Sequence, residues 1–141
     1  LNSIVLSRLS NESKKGFILD GYPRTLAQSE YLNNFLENSG NRINYIFNIK
    51  LSFEILKNRI LKRSSEESRE DDKIEVIQTR YSEYKNTTEK VSNFYKKTQS
   101  HIFYEIDGSQ QIDEITKNIK KILKKSWKSA KILYIFSWLP M

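Results

Sequence analysis

The stretch KKGFILDGYPRTLAQSEYL, residues 14–32, decides how the rest of the chain is interpreted. Residues 16–20 form an apolar run that is too short for a helix and predicts a strand buried on both faces. An acid, a glycine, a proline and an arginine follow directly. Thr25 then fits the N-cap of a helix that extends to about Asn38 and ends at Ser39-Gly40. The stretch therefore predicts a strand, a tight turn and a helix in succession.

The same alternation continues along the chain. Residues 43–49 (INYIFNI) and 101–106 (HIFYEI) predict two further strands. Helices are predicted over 1–13, from Ser52 to about Arg63, over roughly 25 residues that start near Ile74, and over 110–125. The polar residues 64–72 predict a surface loop. Strands separated by helices predict a single three-layer α/β/α domain with a parallel sheet.

Composition and charge exclude several kinds of protein. The 141 residues include no cysteine and one histidine, so disulfide frameworks and thiolate or histidine metal clusters are not expected. The net charge of +7 comes from seven lysines between residues 117 and 131, where no acidic residue follows Glu114. At helical spacing opposite isoleucines, these lysines are typical of a solvated helix face, so a nucleic-acid partner is not expected.

Neither end of the chain predicts a membrane segment. The first 15 residues lack the basic start and long apolar run of a secretory signal. Residues 130–141 (AKILYIFSWLPM) are apolar but fall short of the ~20 residues that span a bilayer. This tail, taken as 126–141, is compatible with a helix extension, a membrane-surface segment or sequence without a native role.

The residues after the first strand have the chemistry of a phosphate site. In parallel α/β sheets, ligands bind beyond the carboxyl ends of the strands. Asp20 suits a hydrated Mg²⁺, Gly21 allows a ligand to approach the backbone, and Pro23 stiffens the turn that presents Arg24. Arginine offers paired donors that match phosphate. An ordinary strand exit with a surface arginine is the alternative.

At this point a resemblance becomes specific. The segment GFILDGYPRTLAQ resembles the nucleoside-monophosphate signature of adenylate kinases, a hydrophobic strand followed by D-G-[FY]-P-R-T and then a glutamine. The resemblance implies that Arg24 binds the AMP α-phosphate and that Gln28 contacts the adenine. It also places Gly21, Tyr22 and Pro23 in the AMP site. Thr25 and Gln28 favour AMP over the acceptors of UMP/CMP kinases.

The resemblance extends downstream. NRILKR (58–63) is similar to the segment that enters the lid of these kinases, which implies that Arg59 lies against the ATP base and Arg63 on the ATP phosphates. Residues 68–95 resemble the segment that leaves the lid, which implies a short lid at about 64–69. IDGSQ (106–110) resembles the ATP-base loop. The remaining implied roles are phosphate and AMP binding for Arg69 and Arg80, lid support for Asp71 and Asp72, and adenine contact for Gly108 and Gln110.

Convergent arginines suit phosphoryl transfer. Transfer between two nucleotides concentrates negative charge, and arginines with Mg²⁺ stabilise it without covalent chemistry. The four candidate catalytic residues are Arg24, Arg63, Arg69 and Arg80. For any one of them, a surface arginine in a helical ion pair is the alternative.

The family's glycine-rich phosphate loop does not occur among these 141 residues. The four glycines lie at 16, 21, 40 and 108, and none precedes a lysine and a serine or threonine. The resemblance covers residues 1–125, so we expect an N-terminally truncated member that is inactive alone. In the family fold the phosphate-loop strand lies between the strands predicted here at 16–20 and 43–49. Its loss predicts two edges that face a gap, and hence a sticky protein.

The resemblance therefore implies an adenylate kinase chain, with ATP, AMP and ADP as nucleotides and Mg²⁺ supplied with ATP. It also implies a cytoplasmic monomer with no membrane association. A kinase for UMP or CMP and a non-catalytic nucleotide-binding module remain alternatives.

Overall fold

The computed structural model describes residues 2–12, 16–67, 73–124 and 132–137. Within these ranges helices and strands alternate, as the sequence predicts. The elements are α1 (Asn2–Glu12), β1 (Phe17–Asp20), α2 (Leu26–Asn38), β2 (Tyr45–Lys50), α3 (Phe53–Glu67), α4 (Ile74–Glu83), α5 (Glu89–Thr98), β3 (Phe103–Asp107), α6 (Ile112–Leu123) and β4 (Ile132–Ser137).

The predicted first and last turns of the helix after β1, which is α2, are confirmed. Thr25 is the N-cap of α2, and its hydroxyl accepts a hydrogen bond from the Gln28 backbone N–H at 3.2 Å. At the other end Gly40 adopts a φ of 66°, the left-handed conformation in which a side chain is strained. The cap at Thr25 sets where α2 begins, at the carboxyl ends of the strands. The turn at Gly40 sets where the chain leaves α2 toward β2.

The predicted 25-residue helix is a composite. A π-helical turn, Tyr84–Thr88, joins α4 to α5 without a break in the helical path. Lys85 and Glu89 form an ion pair of 2.7 Å across this turn. Arg80 and Tyr95 are therefore held on one helical element that runs back to β3.

Helix α3 is longer than predicted. It continues through Glu67, so residues 64–67 belong to a helix and not to the predicted surface loop. Residues 65–67 are serine and glutamate, which propagate an existing helix although they carry no hydrophobic period. Of the predicted lid at 64–69, residues 68 and 69 lie outside the described residues.

All strand pairs are parallel, and the order across the sheet is β1-β4-β2-β3. Strand β4 comes from the apolar tail and pairs with β1 on one side and β2 on the other. The predicted gap between β1 and β2 is thus filled, which corrects the expectation of two open edges. It also corrects the helix-extension interpretation for residues 132–137. An apolar, β-branched run is ambiguous in isolation, and the open ladders of β1 and β2 favour the strand.

Two hydrophobic clusters pack on opposite faces of the sheet. Ile46 of β2 packs with Leu32 of α2 and with Val91 and Tyr95 of α5, whereas Phe47 packs with Ile119 and other residues of α6. From β1 to β2 and from β2 to β3 the chain moves in one direction across the sheet. The helices α2 and α5 of these two crossovers pack on the face that carries Ile46. From β3 to β4 the chain moves in the opposite direction, and α6 packs on the face that carries Phe47. The three crossovers therefore share one hand, as the preference for right-handed β-α-β units requires.

No helix in the described ranges is long and apolar enough to cross a membrane.

We predict that a variant ending at Lys124 loses cooperative unfolding, whereas a variant ending at Ser137 unfolds like the full chain. The shorter variant lacks β4, so the facing ladders of β1 and β2 have no partner. Because the net stability of a domain is only ~5–15 kcal/mol, loss of an internal strand exceeds what the fold tolerates. Thermal melts followed by circular dichroism, with size-exclusion profiles, compare the two variants. A sharp monomeric melt of the shorter variant at the temperature of the full chain would contradict the role of β4.

Candidate functional site

The turn after β1 holds its arginine over its own backbone. Gly21 has a φ of 70°, and the peptide bond between Tyr22 and Pro23 is cis. The Arg24 Nε–H donates a 2.8 Å hydrogen bond to the Gly21 carbonyl. This bond fixes the guanidinium next to the end of the strand and leaves its two Nη groups as donors for an anion.

The backbone conformation at this turn favours glycine at position 21. Its positive φ is a conformation that side chains adopt only with strain. A Cβ at this position would also lie 2.9 Å from Nη2 of Arg24. Any side chain here would push the guanidinium away from its place above the turn.

Gln28 belongs to the same turn. Its side-chain Oε1 accepts a 2.7 Å hydrogen bond from the Arg24 backbone N–H. This bond holds the side-chain amide in place, and the Nε2 group is the part of Gln28 that can donate to a ligand. The structure therefore brings Gly21, Arg24 and Gln28 together, as the sequence predicts.

Tyr22 and Pro23 carry buried side chains at this turn. Tyr22 is 6% exposed and packs in the cluster that contains Leu9 and Leu36, and its hydroxyl donates to Asn2 Oδ1 at 3.0 Å. Burial also raises the pKa of this tyrosine. Pro23 is fully buried. Their side chains anchor the turn in the core and leave the backbone as the part that can face a ligand, and their place in the AMP site stays a prediction.

A second polar cluster forms at the turn after β3. The guanidinium of Arg59, on α3, donates to three successive backbone carbonyls, those of Gly108 at 2.7 Å, Ser109 at 3.2 Å and Gln110 at 3.1 Å. Asn118 on α6 donates to the Gln110 side chain at 3.0 Å. The sequence places Arg59, Gly108 and Gln110 in one site, and the structure brings all three together.

The same turn is stabilised from within. The hydroxyl and backbone N–H of Ser109 donate to Asp107 Oδ1 at 2.6 and 2.9 Å. These hydrogen bonds hold the pKa of the Asp107 carboxyl below its usual value. At neutral pH the carboxylate is therefore an ionised acceptor that closes the turn.

Gly108 is required because of crowding and not because of its φ angle. Its N–H donates to the Lys50 carbonyl at 2.8 Å, which ties the loop to the end of β2. A Cβ here would lie 2.7 Å from that carbonyl oxygen and 2.9 Å from side-chain atoms of Ile49 and Leu51. Backbone on one side and packed side chains on the other leave no room for a methyl group.

The register of the sheet makes the carboxyl edge stepped. Asp20, the last residue of β1, pairs with Ile135, which also pairs with Phe47. Strand β2 continues three residues beyond Phe47 to Lys50, a distance of about 10 Å at ~3.3 Å per residue. The Arg24 turn therefore lies lower along the strand direction than the Arg59 cluster.

The other predicted arginines lie on the helices that flank the predicted lid. Arg63 is on α3 and Arg80 on α4, and these helices pack through Leu56, Ile60 and Ile77. The remaining lid predictions, Arg69, Asp71 and Asp72, lie outside the described residues. The convergence of the four arginines stays a prediction.

Asp20 fits a Mg²⁺ ion only as an outer partner. It is an exposed carboxylate at the end of β1, and the described residues contain no cluster of three acidic or histidine side chains that could hold a metal. Mg²⁺ keeps several waters and is often bound through one carboxylate and substrate phosphates. The donor set therefore suits an ion that arrives with a nucleotide.

Sequence reasoning missed the partners of these side chains. The pairs Gln28–Arg24 and Asn118–Gln110 and the capture of three carbonyls by Arg59 join residues up to 51 positions apart. The D-G-S turn at Asp107 was visible in the sequence, and its aspartate signals the local hydrogen bonds to Ser109. No sequence signal indicates the crowding at Gly108.

Comparisons with known proteins agree on one family. The family model described as adenylate kinase matches residues 1–100, and so ends before β3, α6 and β4. The chain is 35% identical to the adenylate kinase of Caldanaerobacter subterraneus subsp. tengcongensis over 150 aligned positions, which cover 86% of this chain and 67% of the relative. It is 37% identical to the adenylate kinase of Xylella fastidiosa over 114 positions, which cover 80% and 60%.

A third relative, the adenylate kinase of Azobacteroides pseudotrichonymphae, is 35% identical over 77% of this chain and 56% of its own length. The chain thus spans between 56% and 67% of the length of these curated relatives. With a family model over most of its length and relatives above 30% identity, the chain belongs to the adenylate kinase family.

Proposed function

We propose that the chain carries the AMP site and part of the ATP site of an adenylate kinase, which transfers a phosphoryl group reversibly from ATP to AMP. The observation that carries the proposal is the turn in which Arg24 folds over Gly21 and binds Gln28 through its backbone. Family membership supplies the reaction, and this turn supplies an anion site beside a side chain that can read a base.

The acceptor nucleotide would lie along the turn after β1. The two Nη groups of Arg24 would bind the α-phosphate, since paired guanidinium donors match phosphate geometry. The Gln28 Nε2 group would donate to a ring nitrogen of the adenine, while the bond from the Arg24 N–H to Oε1 holds the side-chain amide in place. We propose AMP as the acceptor, and UMP and CMP are the alternatives.

The ATP base would lie at the turn after β3. Arg59 holds three carbonyls of that turn, so we propose that it shapes the wall of the base site as well as lying near the base. Gly108 and Gln110 would line it. Arg63, Arg69 and Arg80 would then bind the phosphates between the two nucleotides, with Asp71 and Asp72 as supports of a short lid.

A short lid is compatible with the alignments. The Xylella fastidiosa alignment of 114 positions covers 80% of the chain almost without gaps, whereas the Caldanaerobacter alignment of 150 positions is longer than the whole chain. The Caldanaerobacter relative therefore has residues inside the aligned region that this chain lacks.

Mg²⁺, when bound with ATP, would offset the negative charge of the phosphates, and Asp20 would hold the ion through its waters. The phosphate loop of the family does not occur in the 141 residues.

We further propose that the chain is a cytoplasmic monomer and that its partners are nucleotides.

Replacement of Arg24 by alanine should weaken AMP binding by about 10- to 100-fold, the range for loss of hydrogen bonds to a charged group. Arg42→Ala is the matched control, since Arg42 is an exposed arginine just before β2, at the opposite edge of the sheet. Titration calorimetry of the 141-residue chain with AMP and with CMP measures both effects. Equal AMP affinity in the two variants would contradict the acceptor site, and tighter CMP binding by the unaltered chain would favour the UMP/CMP alternative.

Replacement of Gly108 by alanine should destabilise the fold by about 1–3 kcal/mol, the usual cost of overpacking, and weaken ATP binding. The methyl group would collide with the Lys50 carbonyl and displace the turn that Arg59 holds. Gly40→Ala is the control: it strains the backbone at φ 66° but meets no atom within 4 Å, at the far edge of the sheet. Chemical denaturation and ATP titration should show loss of stability in both variants and loss of ATP affinity only in Gly108→Ala.

A coupled assay for ADP formation from ATP and AMP should show no turnover above background for the 141-residue chain. The backbone cradle and lysine that hold the transferred phosphate in this family are not among its residues. A full-length family member assayed in parallel confirms that the assay works. Robust turnover by the chain would refute the expectation.

A further inference from the structure

A buried hydroxyl group connects the long composite helix to the helix that begins at the acceptor turn. Tyr95, on α5, is 0% exposed, and its hydroxyl donates to Asn33 Oδ1 on α2 at 3.1 Å. The same hydroxyl lies against the Ser29 side chain, one turn nearer the start of α2. The hydroxyl therefore contacts α2 at two points on the face that packs against α5.

From Ser29 the contacts continue without interruption to Arg24. The Ser29 hydroxyl and backbone N–H both donate to the Thr25 carbonyl at 3.0 Å. Thr25 accepts from the Gln28 N–H, and Gln28 accepts from the Arg24 N–H. Ser29, Thr25, Gln28 and Arg24 thus form one hydrogen-bond network, which the buried phenol contacts at Ser29.

The network is more than core packing. A tyrosine at a position that needs only volume would leave a buried hydroxyl to be satisfied at some cost, and phenylalanine would fill the same space. Burial raises the pKa of Tyr95 to about 12, so the hydroxyl remains a donor at any pH at which the protein is studied. The polar end of the side chain is directed at the first two turns of α2, where Gln28 lies.

We propose that Tyr95 is a positioning residue for the AMP site, which fixes the first turns of α2 and thereby the place of Gln28 and Arg24. This inference rests on the proposed function for its ligand. The same helical element carries Arg80, 15 residues earlier and about 22 Å away at 1.5 Å per residue. Tyr95 thus ties the element that bears this predicted lid-side arginine to the acceptor turn.

Tyr95→Phe removes the hydroxyl and keeps the ring. We expect AMP affinity, measured by calorimetry on the 141-residue chain, to fall about fivefold, the ratio that corresponds to one net hydrogen bond, while ATP affinity stays within about twofold. Tyr104→Phe is the matched control, since Tyr104 lies on β3 in the cluster beneath α6, on the other face of the sheet. It should leave AMP affinity unchanged.

A second measurement needs no nucleotide. Backbone amide hydrogen exchange at Arg24 and Gln28 reports the two hydrogen bonds at the end of the network. Both amides should exchange at least about fivefold faster in Tyr95→Phe and at the original rate in Tyr104→Phe. Unchanged exchange at both amides in Tyr95→Phe would overturn the positioning role.

The two proposals fail in different ways. If the unaltered chain binds no AMP, the proposed function fails, and the exchange experiment alone decides the role of Tyr95. If the chain binds AMP and Tyr95→Phe binds it equally well, the positioning role fails and the proposed function stands. If Tyr95→Phe does not fold, Asn33→Ala removes the acceptor and leaves the buried ring, and the same affinity and exchange changes are expected.

Discussion

The parallel pairing of β4 with both β1 and β2 is the interaction on which the rest of the structure depends. Without β4, the backbone N–H and C=O groups on the facing sides of β1 and β2 would have no partner. A neighbouring strand must lie within about 5 Å to accept and donate these hydrogen bonds. Strand β4 satisfies both at once and sets the distance between the Arg24 turn and the Arg59 cluster at the carboxyl edge. The spacing of the candidate site is therefore a property of the sheet and not of the loops.

The elements that could be predicted are those whose signals are local. The N-cap at Thr25 and the glycine at 40 depend on neighbouring residues and lie where the sequence places them, and the strand predicted at 43–49 is observed as β2, Tyr45–Lys50. Strand β4 and the last turn of α3 depend on distant partners or on helix propagation. An apolar run of six residues is compatible with several structures until two open ladders select the extended one.

The candidate site shows the same division. Its residue types were predictable because phosphate chemistry demands arginine, glycine and a strand end, and the family resemblance named the positions. The hydrogen-bond partners were not, because a guanidinium finds whichever acceptors the fold brings near. Arg59 binds three carbonyls some 50 residues away, and Tyr22 places its ring in the core while its neighbour Arg24 stays exposed. Direction of a side chain at a turn is decided by tertiary packing.

The reversal of the chain path explains why the second cluster forms where it does. Strand β2 leaves the carboxyl edge toward α3, whereas the adjacent β3 leaves it toward α6 on the other face. Neighbouring strands whose connections diverge open a crevice, which is where α/β proteins bind ligands. Here the crevice is narrowed by the Gly108 N–H on the Lys50 carbonyl and bridged by Arg59. In the proposed function, the ATP base would therefore lie beyond the 108–110 turn, and the acceptor nucleotide on the side of β1 and Arg24.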